Sequence, residues 1–284
     1  MISPISSTSF QSGLLSGLNK TTNAIGSNLS KLSSGFRITK ASDDAAGLAI
    51  ASKFDAEIKA SKQAINNVST GNALANVAEG GLNQISSLLT RAKELSVQAA
   101  NSTLDNAARQ ALNEEFNSVK NEISRIGNVT EFNGQKLLNG ELSSESANQV
   151  DIQAGTGTTP YDSINLNVVD DTRSSNLGLD DIDITTQTNA QNAIDSITNA
   201  LDQVSSNKSG IGTISNRLAT ASANLGVTVE NLTAAATEIK GVDFAKEMTS
   251  LSQNIALQKA NIQLLKQSIS FGKQLTGSLL DVFG

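Results

Sequence analysis

Apolar residues recur at alternating spacings of three and four at both ends of the chain. Near the N-terminus the line comprises Leu15, Leu18, Thr22, Ile25, Leu29, Leu32 and Phe36. Near the C-terminus it comprises Met248, Leu251, Ile255, Gln258, Ile262, Leu265 and Ile269. This spacing puts the residues on one helix face and is typical of coiled coils. The pattern predicts a long helix at each end of the chain, the two paired with each other.

The C-terminal helix carries a second apolar row, formed by Leu257, Leu264 and Phe271. This row lies about 200° around the helix from Ile255, at the 100° per residue of an α-helix. A helix that is apolar on two faces has to pack between neighbours. We therefore expect it to have packing partners beyond a single helix of the same chain.

A third pattern repeats every seven residues, through Ile197, Val204, Ile211, Leu218, Leu225, Leu232 and Ile239. A strict seven-residue repeat predicts a left-handed supercoil. The expected partner helices lie in segments 43–100 and 105–127, with a break at residues 101–103, where Asn, Ser and Thr follow one another.

Residues 132–185 do not show the helical periodicity of the rest of the chain. QVDIQ and SINLNVV alternate apolar and polar residues with period two, and GTGTTP separates them, which predicts a small β-hairpin. The segment 141–185 holds nine acids and one base, so we expect it to face solvent. GTGTTP begins like a phosphate-binding loop but lacks the third glycine, which favours a turn.

The stretch LSSGFRITKASDDAAGLAIASKF, residues 32–54, interrupts the helical pattern. Gly35 is a good helix-ending residue, and Asp43 or Asp44 is a good cap for the next helix. We expect a joint between two helices here, formed by Ser34, Gly35, Arg37, Asp43 and Asp44.

Composition limits the chemistry. The 284 residues include no Cys and no His, which excludes disulfides, Cys–His or Ser–His nucleophiles and nearly all zinc sites. Two Ser-x-x-Lys matches, at Ser205/Lys208 and Ser270/Lys273, lack the companion motifs of acyl enzymes. We expect no catalytic activity, cofactor or metal.

Charge is uneven along the chain. Residues 1–40 carry +4 and residues 240–284 carry +2; since the total is −6, the centre carries −12. The basic ends lack a dense Lys/Arg cluster, so nucleic-acid binding is not expected.

No segment reaches the roughly 18 apolar residues of a membrane span. The start, MISPISSTSF, predicts no ordinary secretory signal, and composition alone would indicate a cytosolic protein.

The stretch 32–54 resembles the N-terminal signature of bacterial flagellins. The resemblance continues through QAINNVSTGNALANVAEGGLNQISSLLTRAKELSVQAAN, EISRIGNVTEFNGQKLLNG and ISNRLATASANLGVTVENLTAAATEIKGVDFAKEMTSL. It implies a short flagellin that polymerises into the bacterial flagellar filament, the propeller for swimming, without large outer domains. It also implies an inner tube of paired terminal helices, an outer layer formed by the central bundle, and a spoke at 32–54.

The resemblance therefore predicts a mainly α fold: a long-helix coiled-coil bundle with a small β-hairpin region, whose N- and C-terminal helices form the filament core. The expected domains are 1–42 and 240–284 (inner core), 43–140 and 186–239 (bundle), and 141–185 (hairpin or variable region). The expected self-assembly residues are Leu15, Leu18, Ile25, Leu29, Leu32, Phe36, Leu251, Ile255, Leu257, Ile262, Leu264, Leu265, Ile269 and Phe271. We expect these termini to be disordered in the monomer and to fold on polymerisation.

Partners and location follow from the same resemblance. The chain is expected to be secreted into the extracellular filament through a dedicated export channel, and to meet copies of itself, an export chaperone, the filament cap and the hook–filament junction protein. TRAKELSVQ, 90–98, resembles the segment sensed by a vertebrate Toll-like receptor. Arg91, Leu95, Gln98 and Glu115 match that surface, which would also serve contacts along a protofilament.

Two other readings stay open at this point, and one segment departs from the family pattern. A hook–filament junction protein shares the terminal helices, and a receptor-type cytoplasmic coiled coil shares the heptads. The tail, ISFGKQLTGSLLDVFG, differs from the usual flagellin ending by Gly272, Gly277 and Phe283, so the lumen-lining surface is not predicted from it.

Overall fold

Five α-helices account for most of the residues that the structure describes. The computed structural model describes the backbone of residues 4–283 and the side chains of residues 10–274, so the tail side chains from 275 onward lie outside the described residues. The helices are α1 (Pro4–Ser34), α2 (Ala45–Ala99), α3 (Asn106–Val129), α4 (Gln187–Lys240) and α5 (Phe244–Phe283). The predicted mainly α fold is confirmed.

The helix ends follow the local chemistry. Gly35 has a φ of +74°, and its N–H donates to the Lys31 carbonyl at 2.9 Å, which is the usual left-handed end of a helix. Of the two candidate caps of α2, Asp44 performs the role, since its Oδ1 accepts from Gly47 N at 2.8 Å. Asp105 caps α3 by accepting from Ala108 N at 2.7 Å.

Two short hairpins lie between α3 and α4. Strand β1 (Glu131–Phe132) pairs antiparallel with β2 (Gln135–Lys136), and β3 (Asp151–Gln153) pairs antiparallel with β4 (Ser163–Asn165). The second hairpin was predicted and is confirmed. In the first, the turn residues Asn133 and Gly134 both have positive φ, 52° and 81°, as tight hairpins require. Its strands are two residues long, too short for an alternation to be recognised.

The GTGTTP loop is filled by a side chain of its own hairpin. The Asp162 carboxylate accepts from the N–H and the hydroxyl of Thr159, at 3.0 and 2.6 Å. These bonds hold the pKa of Asp162 below its ordinary value. A Cβ on Gly157 would lie 2.5 Å from the same carboxylate, so the loop closes around an internal anion. This arrangement fits a turn.

The chain divides into two compact units, Glu57–Asn231 and the combined ends Met1–Ala56 with Leu232–Gly284. The main apolar core lies in Glu57–Asn231 and includes Phe116, Leu82, Leu89, Ile123, Ile197, Val204, Ile211 and Leu218. The boundaries between these two units fall inside α2 and α4.

The acidic segment 141–185 is not simply a solvent-facing flap, which corrects the expectation from its charge. Its apolar residues are buried in the core of the same unit: Leu142, Ile164, Leu166, Val169, Leu177, Leu179 and Ile184. None of the nine acids is buried, five being exposed and four half-buried, so net charge alone did not reveal the buried apolar face. The fold of this unit therefore depends on helices and hairpins together.

Candidate functional site

The unit formed by the chain ends has almost no apolar core of its own. Among its described side chains, the buried apolar residues are Ile38, Ala51 and Ala236. By contrast, 13 of the 18 exposed large apolar side chains of the described residues belong to this unit. The terminal helices thus carry apolar surface that their own unit does not cover.

On α1 the predicted seam divides into two rows. Leu18, Ile25 and Leu32 are half-buried, whereas Leu15, Leu29 and Phe36 are exposed by 48%, 59% and 44%. The inward positions that alternate with the first three are Leu14, Thr21 and Asn28. The inward line keeps the 3-4 spacing, but positions 14, 21 and 28 take the place of the predicted positions 15, 22 and 29. The apolar row of Leu15, Leu29 and Phe36 is therefore left exposed.

On α5 two apolar rows stay exposed. One row comprises Met248, Ile255, Ile262 and Ile269, and the other comprises Leu257, Leu264 and Phe271. Residues Leu251, Gln258 and Leu265 lie between these rows and are half-buried. At 100° per residue, the two exposed rows flank the half-buried line on either side. Both faces predicted to need partners are therefore outward in the single chain.

The helices α1 and α5 lie antiparallel. Gln258 Nε2 donates to Thr22 Oγ1 at 3.1 Å, and a Cβ on Gly17 would lie 3.5 Å from Asn261 Nδ2. In both contacts the two residue numbers add up to about 279, as expected for two antiparallel helices that keep one register along their length. This register fixes which residues face α1 and which remain outside.

A clasp joins the segments that leave α1 and enter α5; we define it as residues 35–37, Asp55 and 239–242. Arg37 N donates to the Lys240 carbonyl at 2.6 Å, and Val242 N donates to the Gly35 carbonyl at 3.1 Å, which forms a β-bridge between Phe36 and Gly241. The Arg37 guanidinium adds a bond to the Ile239 carbonyl at 2.9 Å.

Side chains reinforce the clasp. Lys240 Nζ lies 2.6 Å from Asp55 Oδ2 and 5.1 Å from the Phe36 ring centre. Gly241 has no room for a side chain, because a Cβ there would lie 2.5 Å from the Thr237 carbonyl oxygen. The predicted joint residue Arg37 belongs to the clasp, and Ser34 lies at its entrance, where its hydroxyl accepts from Phe36 N at 3.2 Å.

Asp43 has a separate task at the joint. Its carboxylate accepts from Thr39 N, Thr39 Oγ1 and Lys40 N at 3.0 to 3.2 Å. These bonds, led by the one from Thr39 N–H, hold the pKa of Asp43 below its ordinary value. Asp43 therefore closes the turn before α2, while Asp44 caps the helix.

In the unit Glu57–Asn231, a charged surface crosses α2 and α3. Arg91 donates to Glu115 at 2.7 and 2.9 Å and to Glu94 at 3.1 Å, and the bond to Glu115 is the main reason that the pKa of Arg91 is raised. Gln98 is exposed. Leu95 is fully buried, so it supports this surface from beneath and does not form part of it.

Within the described residues, no cluster of three or more acidic side chains could hold a metal ion, and no helix is long and apolar enough to cross a membrane. The clasp pairs Lys240–Asp55 and Phe36–Gly241 were not predicted, because each joins residues far apart in sequence. The signals in the sequence that could have indicated these contacts were Lys240 at the end of α4 and Gly241 directly after it.

Comparison with known proteins matches both ends of the chain to one family. Residues 5–143 match the bacterial flagellin N-terminal helical region, and residues 194–276 match the bacterial flagellin C-terminal helical region. Together these matches span most of the 284 residues. The chain belongs to the bacterial flagellin family, and it is a structural subunit of the flagellar filament.

Named relatives agree. A flagellin of Halalkalibacterium halodurans is 40% identical over 84% of this chain and 86% of the relative. A flagellin of Bacillus subtilis is 36% identical over 89% of this chain and 92% of the relative. Among solved structures, a putative flagellar hook-associated protein from Vibrio parahaemolyticus has a TM-score of 0.58 at 14% identity, covering 70% of this chain and all of that one. This last likeness concerns the fold alone.

Proposed function

We propose that the exposed apolar rows of α1 and α5 are the surfaces through which copies of this chain polymerise. The observation that carries the proposal is the contrast between the two units: one has a core, and the other holds 13 of the 18 exposed large apolar side chains of the described residues. Scattered exposed apolar residues are ordinary in proteins, but ordered rows mark interaction sites. The rows have heptad spacing, so their natural partners are other helices.

The rows offer a sufficient driving force. Each of their side chains is roughly half exposed, so burial against a neighbour contributes on the order of 1 kcal/mol per residue. The seven exposed positions of α5 alone would then supply several kcal/mol per subunit, before any contribution from α1. The terminal helices, which have little core of their own, become fully ordered on polymerisation.

Replacing residues 1–40 or 245–284 by scrambled sequences of the same composition tests this proposal. Polymers should be lost from both variants, measured by light scattering and electron microscopy, while circular dichroism still reports a cooperatively folded unit in Glu57–Asn231. A polymer formed by either variant would contradict the proposal.

Secretion and the other partners belong to the same proposal. The subunit is exported unfolded through the flagellar channel, delivered by an export chaperone, and added beneath the filament cap, beginning on the hook–filament junction protein. The absence of Cys suits a chain that unfolds and refolds during transit. Pull-down of the full chain by co-expressed export chaperone tests delivery; a chain that is secreted normally without that chaperone would contradict it.

The surface of Arg91, Gln98 and Glu115 supports a second proposal: contact with a neighbouring subunit in the protofilament and, in monomers, with a vertebrate Toll-like receptor. The exposed Arg91–Glu115 pair favours it, since a planar guanidinium held by a carboxylate is a preorganised polar anchor. Arg91→Ala should weaken reporter-cell activation by the monomer. Equal activation by the wild type and by Arg91→Ala would contradict receptor recognition through this surface and would leave the assembly proposal unaffected.

A further inference from the structure

The chain contains two Asn-Gly pairs close together, Asn133–Gly134 and Asn139–Gly140. Asn-Gly is the dipeptide most prone to deamidation, because glycine has no side chain to hinder attack of its main-chain nitrogen on the preceding carboxamide. Whether a given pair reacts depends on how freely that carboxamide and that nitrogen can approach each other. The structure gives these two pairs opposite surroundings.

Asn133 and Gly134 form the exposed turn of the β1–β2 hairpin. Within the part of the chain that the structure describes, neither the Asn133 carboxamide nor the Gly134 N–H has a hydrogen-bond partner. A Cβ on Gly134 would meet nothing within 4 Å, so the nitrogen is open to approach. Each strand of this hairpin has two paired residues, and so short a ladder opens at little cost. The rotation that brings Gly134 N to the Asn133 side chain is therefore accessible in the folded protein.

Asn139 is held in place by its neighbours. Its side-chain oxygen accepts from Glu141 N at 3.2 Å, and its Nδ2 donates to Glu141 Oε1 at 3.0 Å. Its carbonyl accepts from Arg173 Nη2 at 3.4 Å. Asn139 and Gly140 are both half-buried, and a Cβ on Gly140 would lie 3.2 Å from Asp171 Cβ. The Asn139 carboxamide therefore cannot turn towards Gly140 N without breaking both of its hydrogen bonds.

We infer that Asn133 is a deamidation site of the folded protein and that Asn139 is protected from the same reaction. Gly134 N attacks Asn133 Cγ, and the new C–N bond closes a succinimide ring. The carboxamide C–N bond breaks, and its nitrogen leaves as ammonia with the proton lost from Gly134 N. Water then opens the ring at either carbonyl, which gives aspartate or isoaspartate. The net reaction consumes water and releases ammonia, and it requires no enzyme, oxidant or reductant.

Both products change the β1–β2 hairpin. Each adds a carboxylate to a hairpin that already contains the Glu131–Lys136 ion pair. Aspartate is accepted in a two-residue turn with positive φ, as asparagine is. Isoaspartate carries the main chain through its side-chain carbon, and this extra backbone atom takes Phe132 out of register with Gln135. The reaction needs only this hairpin, so the inference does not rest on the proposed polymerisation.

Peptide mapping of the full-length protein tests the inference. Tryptic cleavage after Arg125 and Lys136 puts the two Asn-Gly pairs on separate peptides, so mass spectrometry follows both reactions in one sample. The protein is incubated at neutral pH, once folded and once in urea. In the folded protein Asn133 should deamidate about tenfold faster than Asn139, the factor expected when two ordinary hydrogen bonds have to break at Asn139. In urea, where those bonds are absent, the two rates should be similar.

A variant tests the cause of the protection. Glu141→Ala removes one bond to the Asn139 carboxamide and should speed deamidation of Asn139 about fivefold in the folded protein, with Asn133 unaffected. Glu145→Ala is the matched control, exposed in the same acidic segment, and should leave both rates as in the wild type. Equal rates at Asn133 and Asn139 in the folded wild type would overturn the inference. So would a folded protein in which Asn133 does not react although both sites react in urea.

Discussion

The ammonium of Lys240 lies 2.6 Å from the Asp55 carboxylate and 5.1 Å from the centre of the Phe36 ring. One side chain at the end of α4 thus contacts both α2 and the segment that leaves α1. The Lys240 side chain is 15% exposed, whereas Asp55 is 46% exposed, so the pair is partly screened by solvent. Together with the backbone bonds around it, this contact joins the segment where α1 ends to the segment where α5 begins.

Removing the Lys240 ammonium should loosen the clasp. Lys240→Met keeps most of the apolar stem but loses the ion pair and the cation–π contact, at a combined cost of about 1 kcal/mol. The amides of Arg37 and Val242 should therefore exchange with solvent about fivefold faster, measured by hydrogen exchange on the full chain.

Lys53→Met provides the control, since Lys53 is exposed on α2 and makes no ion pair within the described residues. Equal exchange rates in wild type and Lys240→Met would show that the backbone bridge alone holds the clasp.

Adjacent glycines in α2 should respond oppositely to alanine. A Cβ on Gly81 would lie 2.6 Å from Leu138 Cδ1, in the fully packed core, whereas a Cβ on Gly80 meets nothing within 4 Å. Gly81→Ala should lower the free energy of unfolding by about 1–3 kcal/mol through overpacking. Gly80→Ala should raise it by about 0.5–1 kcal/mol, because alanine favours helix.

Urea unfolding followed by circular dichroism measures both values. The two variants differ by one position in the same helix, so each is the control for the other. A stabilising Gly81→Ala would mean that Leu138 can move aside without loss of packing.

The loop before α4 should weaken in acid. Asp183 accepts from Asn189 Nδ2 at 2.9 and 3.0 Å and from Thr185, and these bonds, with the Asn189 contribution largest, lower the pKa of Asp183 below its ordinary 3.8. A carboxylate with a depressed folded-state pKa stabilises the fold above about 3.8, and this contribution is lost as pH falls through the lower folded value.

Hydrogen exchange at Thr185 and Asn189 should therefore rise below about pH 4 in the wild type. Asp183→Asn should lower stability at pH 7 by about 1 kcal/mol and flatten the local acid dependence. The exposed neighbour Asp181→Asn is the control and should retain the wild-type profile. If hydrogen exchange at Thr185 and Asn189 in Asp183→Asn still rises in acid as in the wild type, carboxylates other than Asp183 cause the rise.

The sequence predicted the long helices and the second hairpin because each depends on periodicity and on local turn chemistry. In the single chain, Leu18, Ile25 and Leu32 of the predicted α1 line are half-buried, whereas Leu15, Leu29 and Phe36 are exposed. That all six belong to a self-assembly core stays a prediction. Positions one residue apart on a helix differ by 100°, and α1 has apolar residues at both Leu14 and Leu15. The surface of α5 that α1 packs against determines which of these two leucines faces inward, and that surface is mostly polar.

Contacts distant in sequence could not be predicted from spacing. Lys120 donates to the carbonyls of Asp180 and Ile182 at 3.1 and 2.7 Å and so holds the acidic loop onto α3. Burial lowers the pKa of Lys120 despite the neighbouring acids. Ser174 extends the same contact by bonding Ser124 at 2.6 Å. Only the folded chain brings these residues together.

Seeded polymerisation of full-length protein, viewed by negative-stain electron microscopy, tests the central claim most directly. Wild type should grow long tubes of uniform width from short filament seeds. The triple variant Leu257→Gln, Leu264→Gln and Phe271→Gln should grow none, although its unit Glu57–Asn231 melts as in the wild type. A matched variant, with the exposed polar residues Gln253, Lys259 and Gln263 changed to Ala, should still polymerise. Normal tubes from the triple variant would contradict the claim that the outward apolar rows of the terminal helices build the filament.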